Sequence, residues 1–379
     1  MGYVKRLAAY LALFPLVILL AVVVVYAWGI TAHKFINRKA VLHLPQAMDS
    51  FRAESSFFDT HSFDAELRID YNDSSFFGEW PRHYFNIDDY PAFQTLTHNL
   101  DSLIMRFGWE YVKQDGINPW ATVWMLDSLT AQLARGDTMA KYTAGDLGHY
   151  IADGHEPLRC TVNNDGQFTG NYGIQARYET YMMNNYSTEL SVHPDSIHYI
   201  ASPIDFAFGY IHYAHSLVDS ILEADRDAKL VSGWDGSGSA PGSYYAALWQ
   251  RCQRFTQDQI QNTTVDIASF WYTAWVNAGL NTSVRDPVSM LRGSFHLHQN
   301  YPNPFNPLTK ISYTLNDRAF VRLRIFSLDG RNIGLLVNSR QETGEHVVNF
   351  NASNLPSGVY FYNLSVGPSS KTRKMVLLR

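Results

Sequence analysis

His149 and Asp153 stand four residues apart in TAGDLGHYIADGHEPLR, residues 143 to 159, whose apolar positions recur at helical spacing as far as Pro157. Four residues is little more than one helical turn, so the imidazole and the carboxylate leave the same face. Such a pair suits a divalent ion that takes nitrogen and oxygen ligands, as zinc does, but it needs further ligands to become a site. The start of the chain offers some. MGYVKR is basic, the run after it is apolar, and Val25-Tyr26-Ala27 fits a signal-peptidase site, so residues 1–27 read as a signal peptide. Cleavage after Ala27 leaves Trp28 with a free amine beside its own carbonyl oxygen, a pair able to chelate a metal as a five-membered ring. His33, five residues on, can add an imidazole to the same ion. The alternative is an uncleaved inner-membrane anchor, because an apolar run of about 20 residues is long enough to span a bilayer.

The GHYIADGHEPL run resembles the HYxGDxxxPLH signature of the zinc-dependent phospholipase C and S1/P1 nuclease family, and Trp28-Gly29 followed by His33 resembles its WGxxxH opening. The resemblance spans roughly residues 28–282 and implies an all-α domain. It implies that His149 and Asp153 are zinc ligands, with Asp153 bridging two ions, and that the amine and carbonyl of Trp28 bind one zinc together with His33. In PRHYFNID, His83 matches the family's RHYID-type histidine. HSFDAE places the accompanying carboxylate at Asp64, 19 residues before His83, with Asp70 as the alternative. Two zinc ions follow: one held by Asp64, His83, His149 and Asp153, the other by Trp28, His33 and the shared Asp153. Such a pair lowers the pKa of water for attack on a phosphodiester, and Asp64 could orient that water or take its proton.

Two positions depart from the family pattern. A third ion would require histidines where this chain has Arg159 and Gln175, leaving Glu179 as its single carboxylate ligand. A guanidinium cannot ligate a metal and an amide is a poor zinc ligand, so this third site is expected to be lost. Arg159 can instead grip phosphate through paired hydrogen bonds, or form an ion pair with Glu179 in a site that has lost catalysis. His155 lies about 200° around the helix from Asp153 and is not expected to ligate.

Several elements must position these groups. Residues 34–60 read as one helix, with Ala40, Val41, Leu44 and Ala47 at helical spacing; 60–90 is polar and loop-rich; 92–142 carries two helical patterns parted at Asp115-Gly116; and 200–282 holds further helices. The stretch beginning INPW serves as scaffold. A chain of 379 residues with 46% apolar content is long enough for two domains. Its net charge of −5 and its lack of a long basic run argue against electrostatic capture of duplex nucleic acid, and no stable nucleic-acid complex is expected. Cys160 and Cys252 are too few for a disulfide framework, and their pairing stays open.

After about residue 283 the helical period gives way to short alternating segments, among them Ile311, Tyr313 and Leu315, then Val321, Leu323 and Ile325, then Val359 and Phe361. Turn signals fall at Asp329-Gly330, Thr343-Gly344 and Ser357-Gly358, giving about seven strands in a β-sandwich of immunoglobulin type. QNYPNPFNP, SLDGRNI, LPSGVYFYNL and the terminal KMVLLR resemble the C-terminal sorting domain of type IX secretion substrates. The expected organisation is a signal peptide (1–27), a helical phosphoesterase-like domain (28–282), a linker (283–296) and a sorting domain (297–379). The resemblances imply a monomeric zinc phosphodiesterase that is secreted or attached to the outer-membrane surface through the type IX machinery. Its substrate would be a phospholipid, as the INPW and GHYIADGH stretches suggest, or single-stranded nucleic acid, as the Trp-Gly spacing suggests. The alternative is a catalytically silent metal- or surface-binding protein on the same fold.

Overall fold

The computed structural model describes residues 28–69, 77–280, 295–316, 318–327, 332–366 and 369–378. The signal peptide, Asp70, most of the expected linker and the Asp329-Gly330 turn lie outside the described residues. Among those described, 28–280 form helices and no strand, whereas 295–378 form strands and no helix.

The principal helices are α1 (Gly29–Ala40), α2 (Ser55–His61), α3 (Asp64–Leu67), α4 (Leu100–Phe107), α5 (Asn118–Arg135), α6 (Ala140–His155), α7 (Pro203–His215), α8 (Val218–Ser232) and α9 (Gly242–Asn277). Helix α6 is the centre: α1, α2, α3, α5, α7 and α9 all pack against it, and from Leu147 to His155 every residue is buried. Its small residues permit that crowding. A Cβ on Gly148 would fall 2.0 Å from Asn37 Oδ1 of α1, and one on Gly154 would fall 2.5 Å from the Tyr210 ring of α7. The helix stops where Glu156 turns extended (φ −80°, ψ 117°), as a residue before proline tends to do.

The single helix expected over 34–60 is broken. Leu44 stands before Pro45 and is extended (φ −71°, ψ 141°), so α1 ends at Ala40 and helix resumes as short turns and then α2. The Asp115-Gly116 break occurs as expected: Gly116 takes φ 87°, and its Cβ position is blocked at 2.1 Å by the Tyr84 carbonyl oxygen.

The C-terminal strands are β1 (His296–Leu297), β2 (Leu308–Leu315), β3 (Ala319–Ser327), β4 (Asn332–Gln341), β5 (Gly344–Asn351), β6 (Gly358–Val366) and β7 (Ser369–Leu377). They form two antiparallel sheets, ordered β1-β2-β5 and β4-β3-β6-β7. Ile311, Tyr313 and Leu315 of one sheet share a core with Val321, Leu323 and Ile325 of the other, which makes a sandwich. On β6 the alternation read at Val359 and Phe361 is offset by one. Tyr360, Tyr362 and Leu364 are the buried set, because the Tyr362 hydroxyl finds the His298 carbonyl 2.8 Å away inside.

Candidate metal centre

Helix α6 presents His149 and Asp153 inward, both with no exposed surface. The Nδ1–H of His149 donates to the Ser62 carbonyl at 2.8 Å, which turns Nε2 toward the interior. His83 ends a short 3₁₀ turn, Trp80–His83, that is tied down on both sides. Ile117 N–H donates to the Pro81 carbonyl at 2.6 Å, and the Asn118 amide donates to the carbonyls of Arg82 (3.0 Å) and Tyr150 (2.8 Å). The INPW segment therefore clamps the His83 turn onto α6. From α3, Glu66 completes the group.

Glu66, His83, His149 and Asp153 are all buried, and each offers a ligand atom lying within 4.8 Å of the others. His83 Nδ1 is 2.9 Å from Asp153 Oδ2, 3.3 Å from Glu66 Oε2 and 3.0 Å from His149 Nε2, which is itself 3.3 Å from Asp153 Oδ2. On the other side of the bridge position, His33 Nε2 lies 3.3 Å from Asp153 Oδ1, its ring stacked on His149 with centroids 4.1 Å apart. Both nitrogens of His33, both oxygens of Glu66 and Asp153 Oδ1 lack a hydrogen bond of ordinary geometry. Buried polar atoms left in that state cost about 1–3 kcal/mol each, and a cation among two imidazole nitrogens and two carboxylates would relieve that cost at Glu66, as one between His33 Nε2 and Asp153 Oδ1 would there. The donor set fits zinc.

The charges agree. Burial alone would lower His149, but Asp153 and Glu66 outweigh it and hold the imidazole at about 10. Burial would raise Asp153 and Glu66, yet the histidines, and for Glu66 also Arg159, hold both carboxyls below their ordinary values. Burial and the neighbouring His149 push His33 down to about 4.

Trp28 is fully buried, and its indole N–H donates to the carbonyl of Ala152, the residue before Asp153, at 2.9 Å. Its backbone is left-handed (φ 50°). A Cβ on the following Gly29 would meet the Glu179 carbonyl oxygen at 3.0 Å, so the start of α1 lies against the turn carrying Glu179. That turn is a π-helical segment, Ala176–Met182, a form that recurs at functional sites. It is pinned by Arg177, whose guanidinium meets the buried Asp225 carboxylate at 2.9 Å.

Asp64 is not brought to the centre. It is half-exposed and bonds His61 Nδ1 at 2.7 Å, while Glu66 takes the inner position. Two residues apart on a helix is about 200°, so the two carboxylates face opposite ways. The available signal was Phe63, three residues before Glu66 and hence on its face; the Phe63 ring lies 6.1 Å from His33 and 5.9 Å from His149.

Beyond the turn at Glu156, the buried Arg159 is surrounded by charge from Glu179, Glu66, Asp153 and Glu156, which raises its already high pKa. Glu156, which sequence reasoning missed, caps the turn, its Oε2 accepting from Arg159 N–H at 2.7 Å. Burial pushes Glu156 up to about 7 and Glu179, beside it, well above the carboxylate range, with the Gln175 side chain close to Glu179. His155 points elsewhere, with its Nε2 2.9 Å from Asp266. Cys160 and Cys252 are both free thiols in the interior.

Residues 299–378 match the family described as the Secretion system C-terminal sorting domain, so the β-module is a secretion sorting domain. No curated protein matches the chain. Among solved structures, the chain is similar to Alpha Toxin from Clostridium absonum, with 13% identity over 92% of this chain and 98% of that one and a TM-score of 0.38. It is also similar to Clostridium perfringens alpha-toxin from an avian strain, with 10% identity over 91% and 97% and a TM-score of 0.39. Likenesses this loose carry nothing about the site, which stands on its own geometry.

Proposed function

We propose that the helical domain is a zinc-dependent phosphodiesterase, exported by the route its C-terminal module addresses. One observation carries the reading: four buried ligand atoms from Glu66, His83, His149 and Asp153 converge, with His33 on the second oxygen of the same aspartate. Those four residues would hold one ion. The Trp28 amine and carbonyl, His33 and Asp153 Oδ1 would hold another. Zinc in such a place supplies Lewis acidity, polarising a phosphoryl oxygen and lowering the pKa of water. Glu66, in the place first assigned to Asp64, serves as ligand and orients the attacking water. Arg159, within electrostatic reach of Glu66 and Asp153, neutralises phosphate oxygens, while Glu156, Gln175 and Glu179 hold it in place.

A second reading has its own observation. Arg159 is buried beside two carboxylates, which suits an internal ion pair in a catalytically silent binding protein.

Zinc content and turnover separate these readings. Exported protein should carry about two zinc ions per chain and cleave bis(p-nitrophenyl) phosphate. Phosphatidylcholine vesicles and a single-stranded oligonucleotide then tell lipid from nucleic-acid substrate. Zinc-loaded protein inert on all three, with activity appearing in Arg159→His/Gln175→His, establishes the silent reading. Folded protein without zinc sinks the phosphodiesterase reading. N-terminal sequencing tests the Trp28 amine and the membrane-anchor alternative, whose segment lies outside the described residues. Among those residues, no helix is long and apolar enough to cross a membrane.

A further inference from the structure

His149 and His83 enter the centre through different nitrogens, and what stands behind each ring differs. Behind His149 is a neutral carbonyl, Ser62 O. His83 turns Nδ1 inward, so Nε2 points back, and the group facing it is the Glu79 carboxylate, with Oε1 3.5 Å away and one helical turn earlier in sequence. Nε2 is buried and lacks a hydrogen bond of ordinary geometry. Glu79 is itself held from the far side. Its Oε1 accepts the Tyr150 hydroxyl, and its Oε2 lies 3.7 Å from Arg68 Nε, while the same guanidinium binds Asp146 at 2.9 Å. A row of groups thus runs from the half-exposed Arg68 through Glu79 to the back of a buried candidate ligand.

We propose that Glu79, fixed by Tyr150 and Arg68, is a positioning residue that sets the ring orientation, tautomer and basicity of His83 toward the metal. This rests on the zinc reading of the centre. An anion behind an imidazole N–H keeps the proton on that nitrogen and pushes electron density onto the other, strengthening it as a ligand. A neutral carbonyl, as behind His149, orients the ring with less effect on basicity. The two histidines are therefore unequal ligands, and the stronger one depends on a carboxylate that itself touches no metal position.

Zinc dissociation constants, measured by chelator competition on the full mature chain, test this. Glu79→Gln keeps the shape and an acceptor but removes the charge, and it should weaken zinc binding about 10- to 100-fold. The 15N shift of His83 Nδ1 in the zinc-loaded protein should move with it. Tyr150→Phe, which leaves Glu79 charged but less firmly held, should weaken binding severalfold. Glu54→Gln, a carboxylate paired with Lys141 away from the centre, should leave binding unchanged. Folded Glu79→Gln with wild-type zinc affinity overturns the inference while leaving the zinc centre intact. Should Glu79→Gln not fold, an unchanged affinity in Tyr150→Phe overturns it equally. Wild type that takes up no zinc sinks the functional reading, and this inference with it.

Discussion

Around Asp153, imidazoles and carboxylates converge, and the carboxylates hold a proton on His149; three residues on, Glu156 and Glu179 crowd a guanidinium. Both pockets are closed to solvent and both concentrate negative charge. The first balances its charge with a titratable imidazole, whose proton a bound cation would displace, and keeps atoms without partners on His33, Glu66 and Asp153. The second has Arg159, a permanent cation already in the chain. The contrast lies in the counter-charge: one pocket offers an imidazole whose proton a metal would replace, the other a guanidinium that keeps its charge.

The largest expected effects break the two pockets in different currencies. Asp153→Asn should weaken zinc binding more than about a hundredfold, since it removes the shared ligand. Arg159→Met should leave zinc affinity nearly intact but destabilise the fold by about 1–3 kcal/mol in denaturant titrations, because it leaves the buried Glu156 and Glu179 acceptors without their cationic partner. If Arg159→Met instead empties the metal centre, the pockets are one unit and the comparison fails.

How much of this could be read from the chain depends on where each residue sits. His149, Asp153, His33 and the INPW clamp lie on long periodic helices, where spacing determines facing, and the structure places them together. The β-module was legible from its alternation, and its QNYPNPFNP stretch agrees with the family match. What was not legible came from four-residue turns. In α3, Asp64 and Glu66 lie about 200° apart, and only packing of Phe63 against the histidines settles which of them faces inward. Glu156 was missed because a carboxylate before a proline reads as a cap, which it also is. Glu79 was hidden because its role is defined across space by His83 and Tyr150, not by a motif.

A middle-sized effect tests how the first pocket is built. Gly148 lets α6 approach α1 so closely that a Cβ would meet Asn37 Oδ1 at 2.0 Å. Asn37 lies one turn from His33 and donates to its carbonyl at 3.2 Å. Gly148→Ala should therefore destabilise by about 1–3 kcal/mol and move His33 away from Asp153, lowering zinc stoichiometry toward one per chain. Asn37→Ala in the same protein should restore part of both. Stability loss without a change in zinc content would mean that His33 lies outside the metal set.

The smallest effect concerns the second pocket and shows itself as a pH dependence. Burial raises Glu156 to about 7, despite Glu179 beside it, the backbone N–H bond and the charge of Arg159, against 4.5 for an ordinary glutamate. Between those values the unfolded chain has lost the proton while the folded chain keeps it, so this group makes stability fall as pH rises from 4.5 to about 7. Above that the penalty is complete; below 4.5 it is absent. Glu156→Gln retains an oxygen to cap Arg159 N–H and cannot ionise, so it should raise stability at pH 8 by about 1–3 kcal/mol and do little at pH 4. Arg159 decides the size. If its guanidinium fully compensates both carboxylates, the gain at pH 8 vanishes, and the second pocket is a balanced ion pair with no charge left to offer a phosphate.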